Sequence, residues 1–360
     1  MTILVTGAFG LVGTATVKQL ADTGTAVVAS DLDVPANRKK AAKLPRGVTV
    51  RYADLTDPAA VEALLTQVNP SAIIHLAAII PPLCFARRGL ARKVNVDATA
   101  NLLRAAEKLP NPPRFVQASS IAVYGARNPH KISDVLTADT PVHPTDLYGA
   151  HKVEAEALVR AAELDWVILR LGGVLTVDMM GLMNTDNIYF EGLLPIDNRI
   201  TTVDVRDVAR AFAAAATAGT DAKNTVVGQT FLIGGDESHR LRQGDIAPGM
   251  AGAMGLVGGL PIGLKGDPDS DTAWMSTDWM DTAHSQKVLD FQRYSWPDLL
   301  VETADKTGPL RPLLRLAAPL SREILKRRAP YYHYDKPYAD PWGAVAAKWG
   351  DPSPDNATSS

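Results

Sequence analysis

Tyr148 and Lys152 are the two residues of this sequence whose types and spacing best suit acid/base chemistry. They stand four residues apart in the segment TDLYGAHKVEAE, a spacing that places both side chains on one face of a helix. A phenol that exchanges protons needs a pKa below its usual value of about 10, and a nearby cation lowers it. The pair alone is also compatible with an ordinary amphipathic helix, so the surrounding residues decide its interpretation.

Two serines lie where a strand is expected to end. The segment RFVQASS is predicted as a strand, and its last two residues are Ser119 and Ser120. In a parallel sheet the residues at the carboxyl ends of the strands line the ligand crevice. Tyr148 follows 28 residues after Ser120, at the start of the next predicted helix.

Three glycines follow the first predicted strand, ILVTG. Gly7, Gly10 and Gly13 lie in TGAFGLVG, directly before a helix. Such a loop admits a pyrophosphate close to the main chain, and the helix N-terminus supplies N–H donors. Asp31 ends the next strand, where a carboxylate accepts hydrogen bonds from the adenosine ribose and repels a 2′-phosphate. The pattern favours NAD over NADP, although the cations at 38–40 could instead meet a phosphate.

The framework that positions these residues is predicted to be a Rossmann-type α/β fold. Short apolar strands alternate with helices over residues 1–172, which indicates a doubly wound parallel sheet covered on both faces. Residues 173–334 are predicted to form a smaller, interleaved C-terminal substrate-binding lobe. Helix 203–218 and strand 226–233 are compatible with packing back on the first domain. Residues 335–360 are expected to form a partly disordered arm.

Composition excludes several classes of function. The chain has 360 residues, 46% of them hydrophobic, and a net charge of −2, so it has no global attraction to nucleic acid. Cys84 is the single cysteine, which excludes an intrachain disulfide and fits a reducing compartment. The N-terminus does not resemble a signal peptide and no run is long enough to span a bilayer. We therefore expect a cytoplasmic protein, and no metal site is predicted.

Together these motifs resemble the extended branch of the short-chain dehydrogenase/reductase superfamily, the NAD-dependent epimerase/dehydratase family. The resemblance covers roughly residues 1–300. TGAFGLVG is similar to the family's T-G-x-x-G-x-x-G, and ASSIAVYG at 118–125 is similar to its serine strand. NVDATANLL at 95–103 matches the N-V-x-G-T-x-N-L-L helix, with alanine in place of the usual glycine. WVILRLG carries the family's arginine at Arg170, and VDVRDVA at 203–209 is similar to the start of a second-lobe helix.

The resemblance implies roles for the candidate residues. Tyr148 would be the general acid/base, Lys152 would favour the phenolate and hold the nicotinamide ribose, and Ser120 would hydrogen-bond the substrate oxygen. It implies a homodimer as well. It also implies NAD as the cofactor, with these residues as its contacts: Gly7, Phe9, Gly10, Leu11, Val12, Gly13, Asp31, Asp54, Leu55, Leu76, Ala77, Ala78, Asn95, Tyr148 and Lys152.

The histidines are expected to lie outside the catalytic set. His75 stands in a predicted strand, where packing or hydrogen bonding accounts for it. His151 lies within Y-x-x-x-K but faces away from the pair at helical spacing. His143, in PVHPTD, could reach the pocket.

The substrate region departs from the sugar-nucleotide members of the family. Those members carry an asparagine soon after the strand-end arginine, whereas this chain has none between Arg170 and Asn184. Ile200 occupies the position of a phosphate-binding arginine, with Arg199 one position away. Three other cations could substitute for that arginine: Arg87, Arg199 and Arg206.

Four loop segments are apolar, which favours an apolar ligand or simple packing of the second lobe. These segments are IIPPLCFARRG (79–89), MMGLM (179–183), IYFEGLLP (188–195) and GMAGAMGLVGGLPIG (249–263).

Three hypotheses of function follow. The favoured one is an NAD-dependent oxidoreductase that acts on a secondary alcohol or ketone of an apolar or partly apolar small molecule. The second is a sugar-nucleotide epimerase or dehydratase that recycles NAD. The third is a regulator that binds NAD without turnover, which the intact Ser120, Tyr148 and Lys152 argue against.

The C-terminal segment PLRPLLRLAAPLSREILKRRAPYY, residues 309–332, mixes leucines with basic residues. That composition is compatible with contact to a membrane surface. Packing on the protein itself or on a second subunit, with the charges solvated, is the favoured interpretation.

Overall fold

The computed structural model of the chain describes residues 1–178, 185–219, 226–261 and 263–355. The apolar segment MMGLM (179–183), the residue Asn184 and position 262 of the fourth apolar segment therefore lie outside the described residues.

Apolar runs build a central sheet that is buried on both faces. In the first strand, Ile3 and Val5 pack into one core and Leu4 packs into the other, because successive side chains of a strand point to opposite faces. The strands of this sheet are β1 (Thr2–Thr6), β2 (Ala26–Asp31), β3 (Thr49–Tyr52), β4 (Ala72–His75), β5 (Arg114–Ser120), β6 (Trp166–Leu171) and β9 (Gln229–Ile233).

All neighbouring strands in this sheet are parallel, in the order β3-β2-β1-β4-β5-β6-β9. Strand β9 joins the edge of the sheet beside β6, so a segment from the second half of the chain completes it. The predicted doubly wound parallel fold is confirmed.

Helices cover both faces of the sheet. One core takes side chains from α1 and α9, and the other takes side chains from α3, α6 and α7, with these bounds: α1 (Leu11–Asp22), α3 (Pro58–Val68), α6 (Ala98–Glu107), α7 (Leu147–Ala161) and α9 (Val205–Thr217). The remaining helices are α2 (Pro35–Ala41), α4 (Leu83–Ala86), α5 (Arg88–Arg92), α8 (Thr185–Leu193), α10 (Gln243–Ala253), α11 (Ala283–Leu289), α12 (Trp296–Thr307), α13 (Arg311–Arg328) and α14 (Pro341–Trp349).

A second sheet of three strands lies in the second half of the chain. Its strands are β7 (Gly173–Leu175), β8 (Arg199–Asp204) and β10 (Arg240–Arg242), and β8 lies between the other two. The helix predicted over 203–218 begins only at Val205, because Val203 and Asp204 pair with β7. The Asp204 carboxylate then accepts a hydrogen bond from the Arg206 amide and caps α9.

The C-terminal arm returns to the first domain. Helix α14 contributes Val345, Trp342 and Trp349 to an apolar cluster that also contains residues of α4 and α7. Beyond α14 the main-chain oxygen of Pro352 accepts a hydrogen bond from the Leu147 amide at 2.7 Å. The arm thus lies against the first turn of α7.

Candidate active site

Asp146 determines where helix α7 begins. Its carboxylate accepts a hydrogen bond from the Gly149 amide at 2.9 Å, which satisfies a donor of the first turn. The hydroxyl of Ser276 donates a second hydrogen bond to the same buried carboxylate at 2.7 Å. This contact links a loop of the second half of the chain to the helix that carries Tyr148. Tyr148 lies in the first helical turn as a result.

Lys152 lies one turn after Tyr148 and is buried, with 4% of its surface exposed. Its ammonium nitrogen lies 5.6 Å from the centre of the Tyr148 ring and donates a hydrogen bond to the Ala118 oxygen at 2.8 Å. Burial lowers the pKa of Lys152 to about 8, and the carboxylate of Glu156 opposes that shift. The predicted pair therefore shares one face of α7, and the end of strand β5 holds its lysine.

Ser120 brings a third polar group to the same place. It is the last residue of β5, and its hydroxyl oxygen accepts a hydrogen bond from the Ala122 amide at 3.2 Å. Burial raises the pKa of Tyr148 above its ordinary value, while the interaction with the Ser120 side chain lowers it. Ser120, Tyr148 and Lys152 thus converge at the carboxyl end of β5.

The structure does not show the expected lowering of the Tyr148 pKa by Lys152. Lys152 directs its ammonium group at the Ala118 oxygen, and burial sets the pKa of Tyr148 instead. The phenol is therefore protonated near neutral pH in the protein alone. It can donate a proton to a substrate oxygen as it stands, whereas accepting one requires added positive charge nearby.

A buried ion pair between Glu156 and Arg170 supports this end of the sheet and was not predicted. Arg170 on β6 donates two hydrogen bonds to the carboxylate of Glu156, at 2.8 and 2.7 Å. The Ser119 hydroxyl donates a third to the same carboxylate at 2.6 Å. Glu156 stands four residues after Lys152, so the helical spacing of Lys152, Glu156 and Arg160 is the signal that could have indicated it. The pair fixes α7 against β5 and β6.

The glycine loop has the shape that a dinucleotide requires. Gly7 has a φ of +66°, and a Cβ atom there would lie 2.6 Å from the Ala77 nitrogen. A Cβ atom at Gly13 would lie 2.1 Å from the Gly7 oxygen. Helix α1 begins at Leu11 with Gly10 as its N-cap and without a side-chain cap, so its first N–H groups are available to an anion. These features fit the pyrophosphate of NAD.

Asp31 stands beside this loop at the end of β2. Its carboxylate accepts hydrogen bonds from the Phe9 amide at 3.1 Å and from the Leu32 amide at 2.8 Å. Two of the three nearby cations have other partners. Arg38 forms a bidentate ion pair with Asp33, and Lys40 donates a hydrogen bond to the main-chain oxygen of Phe9 at 2.7 Å. Those contacts favour a ribose hydroxyl at Asp31 over a 2′-phosphate.

The other predicted cofactor contacts lie along the same crevice edge. Val12 is half-buried in α1, and Leu76, Ala77 and Ala78 follow β4 as half-buried residues. Asp54 is exposed after β3, while Leu55 is buried in the core beneath it.

Asn95 fixes the segment after β4. Its buried side chain accepts a hydrogen bond from the Ile79 amide at 2.7 Å and donates one to the Ile79 oxygen at 3.0 Å. It lies in a π-helical turn, Lys93–Asp97, that interrupts the long helix predicted there. Both ends of its amide are engaged, so Asn95 positions the loop over which the cofactor would pass.

The three histidines considered in the sequence have other partners or are exposed. His75 is buried in β4 and forms hydrogen bonds with Thr6 at 2.7 Å and Thr99 at 3.2 Å; burial lowers its pKa to about 3. His151 is buried and contacts Asp355 of the C-terminal arm at 3.0 Å. His143 is exposed.

An apolar and aromatic wall adjoins Tyr148. The ring of Tyr148 packs against a cluster whose buried members come from α4, α5, α7, α8 and α14: Cys84, Phe85, Ala91, Leu147, Leu193 and Val345. Aromatic side chains of the second lobe and the arm border that cluster: Tyr189, Phe190, Tyr331, Trp342 and Trp349. The contribution of the C-terminal arm to this wall has no local sequence signal, since it depends on contacts about 200 residues apart along the chain.

The arginines that could replace a phosphate-binding residue have other partners or lie in solvent. Arg199 pairs with the buried carboxylate of Asp278. Arg206 pairs with Asp204 and Glu302, and Arg87 is exposed. Arg88 donates hydrogen bonds to the C-terminal arm.

The described parts of the chain lack two features. These residues include no group of three or more His, Cys, Asp or Glu side chains that could hold a metal ion. None of their helices combines the length and the apolar character that crossing a bilayer requires.

Comparison with known proteins identifies the family. Residues 3–178 match the NAD dependent epimerase/dehydratase family. The dTDP-glucose 4,6-dehydratase of Neisseria meningitidis serogroup B is 30% identical over 266 residues, which cover 65% of this chain and 70% of the relative. The chain belongs to the NAD dependent epimerase/dehydratase family. The description of that family agrees with the predictions that the chain is an enzyme and that NAD is its cofactor.

Two further proteins are similar to the chain. The D-erythronate dehydrogenase of Cupriavidus necator is 32% identical over 185 residues, 48% of this chain and 54% of the relative. The chain thus spans about half the length of that relative. A short-chain dehydrogenase/reductase superfamily protein from Agrobacterium tumefaciens, solved with bound NAD, shares the fold with a TM-score of 0.66. That structure is 24% identical, and the match covers 89% of this chain and 100% of the other.

Proposed function

We propose that the chain is an NAD-dependent oxidoreductase that interconverts a secondary alcohol and a ketone in an apolar or partly apolar small molecule. The observation that carries the proposal is the apolar and aromatic wall beside Tyr148. The core members of that wall are already buried, so a ligand would contact its half-buried aromatic border, which includes Tyr189, Phe190 and Trp349. Burial of apolar surface there contributes about 25 cal/mol per Å². A substrate with a hydrocarbon face would gain from that wall, whereas a highly charged one would not.

The arrangement of the side chains supports proton transfer at one oxygen. Tyr148 would exchange the proton of the substrate oxygen, and Ser120 would donate a hydrogen bond to that oxygen as its charge changes. Lys152 would hold a ribose hydroxyl of the nicotinamide nucleoside from its site beside Ala118. Bound NAD supplies the hydride acceptor and a positive charge close to the phenol. That added charge would offset the effect of burial on the Tyr148 pKa.

The engaged arginines support a substrate without a diphosphate. A diphosphate in a partly buried crevice needs charge-assisted donors, which arginine provides in a fork. Arg199 and Arg206 already satisfy buried or half-buried carboxylates. Turning Arg206 to a ligand would leave the buried Asp204 without its ion-pair partner, and turning Arg199 would remove one of the two arginines that pair with the buried Asp278. Either change would cost free energy.

A second candidate is a sugar-nucleotide epimerase or dehydratase that recycles NAD. The similarity to dTDP-glucose 4,6-dehydratase over 65% of this chain favours it. The two candidates differ in what the purified protein contains. Tightly held NAD after purification supports a recycling enzyme, and an empty site supports exchange of the cofactor with the medium.

The decisive experiment is calorimetry with UDP, GDP and dTDP in the presence of NAD, paired with a screen of alcohols and sugar nucleotides for NADH production or product change. We expect weak or absent nucleotide binding and NADH formation from hydrophobic secondary alcohols. Low-micromolar binding of any of the three nucleotides would reject the apolar-substrate proposal and favour the second candidate.

The assembly state and cellular location belong to the proposal as well. We infer a cytoplasmic homodimer that forms through the helical surface carrying α7. Support comes from the family resemblance alone. Sedimentation velocity of the purified protein measures the assembly directly, and a monomer at micromolar concentration would contradict it.

A further inference from the structure

Helix α13 presents a row of large apolar side chains to solvent. Leu313, Leu316, Leu320 and Ile324 are 64%, 81%, 65% and 47% exposed. At about 100° per residue these four positions fall within an arc of about 80° on the helix. The opposite side of α13 packs on the protein, where Ala318 is 3% exposed. We call the four exposed residues the apolar row.

The sequence favoured a different placement for these leucines. Packing on the protein itself or on a second subunit was the expected arrangement for the basic and apolar segment. The helix packs on the loop that follows α10 through small groups, since the Ala318 Cα lies 3.4 Å from the position of a Cβ atom on Gly259. Its larger apolar side chains point away from that contact. Exposed aliphatic groups in a row of this kind indicate an interaction surface.

Basic side chains occupy another exposed side of α13, since Arg315, Arg322 and Lys326 fall about 120–160° around the helix from the middle of the apolar row. Helix α13 holds one acidic residue, Glu323, and six basic ones, which gives it a net charge of +5 although the whole chain has −2. Within the described ranges, only Arg327 has an acidic partner, Glu323 at 3.6 Å. The other five basic residues form no ion pair there: Arg311, Arg315, Arg322, Lys326 and Arg328.

We propose that α13 binds the surface of an anionic lipid bilayer and lies parallel to it. The apolar row would enter the boundary between headgroups and acyl chains, and the basic residues would contact anionic headgroups. Such a surface satisfies both features of the helix at once. The proposal concerns surface binding, since α13 lacks the apolar length to cross a membrane.

Other occupants satisfy only one of the two features. A second copy of the chain that met this one through its apolar row would bring two helices of charge +5 together, and like charges oppose that contact. A nucleic acid would neutralise the basic residues and leave the apolar row in water. Charge complementarity therefore favours the anionic bilayer.

The test is co-sedimentation of the full chain with vesicles. One set contains equal parts of phosphatidylcholine and phosphatidylglycerol, and the other contains phosphatidylcholine alone. We expect binding to the first set at low salt, much weaker binding to the second, and a loss of affinity as salt rises. No sedimentation of the wild-type chain with the anionic vesicles at low salt would overturn the proposal.

Variants locate the contact on the helix. Combining Leu313→Gln, Leu316→Gln and Leu320→Gln is expected to lower vesicle affinity by about tenfold or more. Combining Arg315→Gln, Arg322→Gln and Lys326→Gln is expected to lower it by about fivefold per residue at low salt. The side chains replaced are exposed, so the fold should persist, and thermal unfolding checks this.

The matched control is Val301→Gln, which replaces a side chain that is 61% exposed on the neighbouring helix α12. We expect it to bind vesicles like the wild type. Equal vesicle binding by the triple leucine variant would overturn the assignment to α13. A change of that variant from dimer to monomer in sedimentation velocity, without vesicle binding by the wild type, would assign the row to a second copy and reject the bilayer.

Discussion

The ammonium nitrogen of Lys152 donates a hydrogen bond to the main-chain oxygen of Ala118 while lying 5.6 Å from the centre of the Tyr148 ring. Strand β5 thus holds the lysine at the tyrosine without a direct hydrogen bond between their side chains. The charge is buried, and its pKa falls to about 8 from 10.5. The proposed role of this lysine at a cofactor ribose therefore comes at a cost to the stability of the protein without cofactor.

That cost predicts a pH-dependent effect of Lys152→Met. Between about pH 8 and 10.5 the unfolded chain binds more protons at Lys152 than the folded chain, so this lysine makes stability rise with pH. The variant should therefore gain most in Tm, relative to wild type, below about pH 8. The gain should shrink as the pH approaches 10.5.

Thermal unfolding of both proteins without cofactor, across that pH range, measures the difference. Lys18→Met, which replaces an exposed lysine on α1, is the control and should show no such trend. A difference in Tm between Lys152→Met and wild type that does not change with pH would show that the lysine carries no buried charge.

The ion pair of Glu156 and Arg170 predicts a large loss of stability when one partner is removed. Glu156→Gln leaves the buried guanidinium without a counter-charge, which typically costs about 3–5 kcal/mol. Glu154→Gln, two residues away, removes a half-exposed partner of Arg92 and should cost at most about 1 kcal/mol. Urea unfolding gives both values. Similar losses in the free energy of unfolding for the two variants would mean that the buried ion pair contributes no more to stability than the exposed one.

The position of Asp31 predicts which cofactor the protein binds more tightly. NAD should bind more tightly than NADP, because a 2′-phosphate would meet the carboxylate of Asp31 at close range. Asp31→Ser should weaken NAD binding by about tenfold, equivalent to about 1.4 kcal/mol, and narrow the preference for NAD. Fluorescence titration of both cofactors measures this, with Asp22→Asn at the exposed end of α1 as the control. Equal affinity of the wild type for the two cofactors would remove this role from Asp31.

Sequence reasoning located the parts of the fold that depend on local patterns. The seven strands of the central sheet follow from short apolar runs, and the glycine loop follows from the constraints at Gly7 and Gly13. The spacing of Tyr148 and Lys152 predicts a shared helical face, and the end of the predicted strand RFVQASS predicts a place at the crevice edge for Ser120. Their joint catalytic role rests on the resemblance to the epimerase/dehydratase family.

The remaining features depend on contacts between distant segments. The hydrogen bond from Ser276 to Asp146 joins residues 130 positions apart. The contact between Pro352 and Leu147 brings the C-terminal arm to the catalytic helix. No periodicity in either segment specifies its partner, so neither the arm's share of the apolar wall nor the exposed row on α13 could be read from the sequence.

The central claim is that Tyr148 transfers the proton in a net oxidation or reduction at a secondary alcohol or ketone. The most direct measurement is the rate of NADH formation by the wild type and by Tyr148→Phe on a hydrophobic secondary alcohol identified by screening, together with NAD affinity. We predict that Tyr148→Phe retains the fold and binds NAD like the wild type but loses about 10²–10⁴-fold in kcat, the range for a general acid/base group. A variant with near wild-type turnover on the same alcohol would contradict the account and assign proton transfer to another residue.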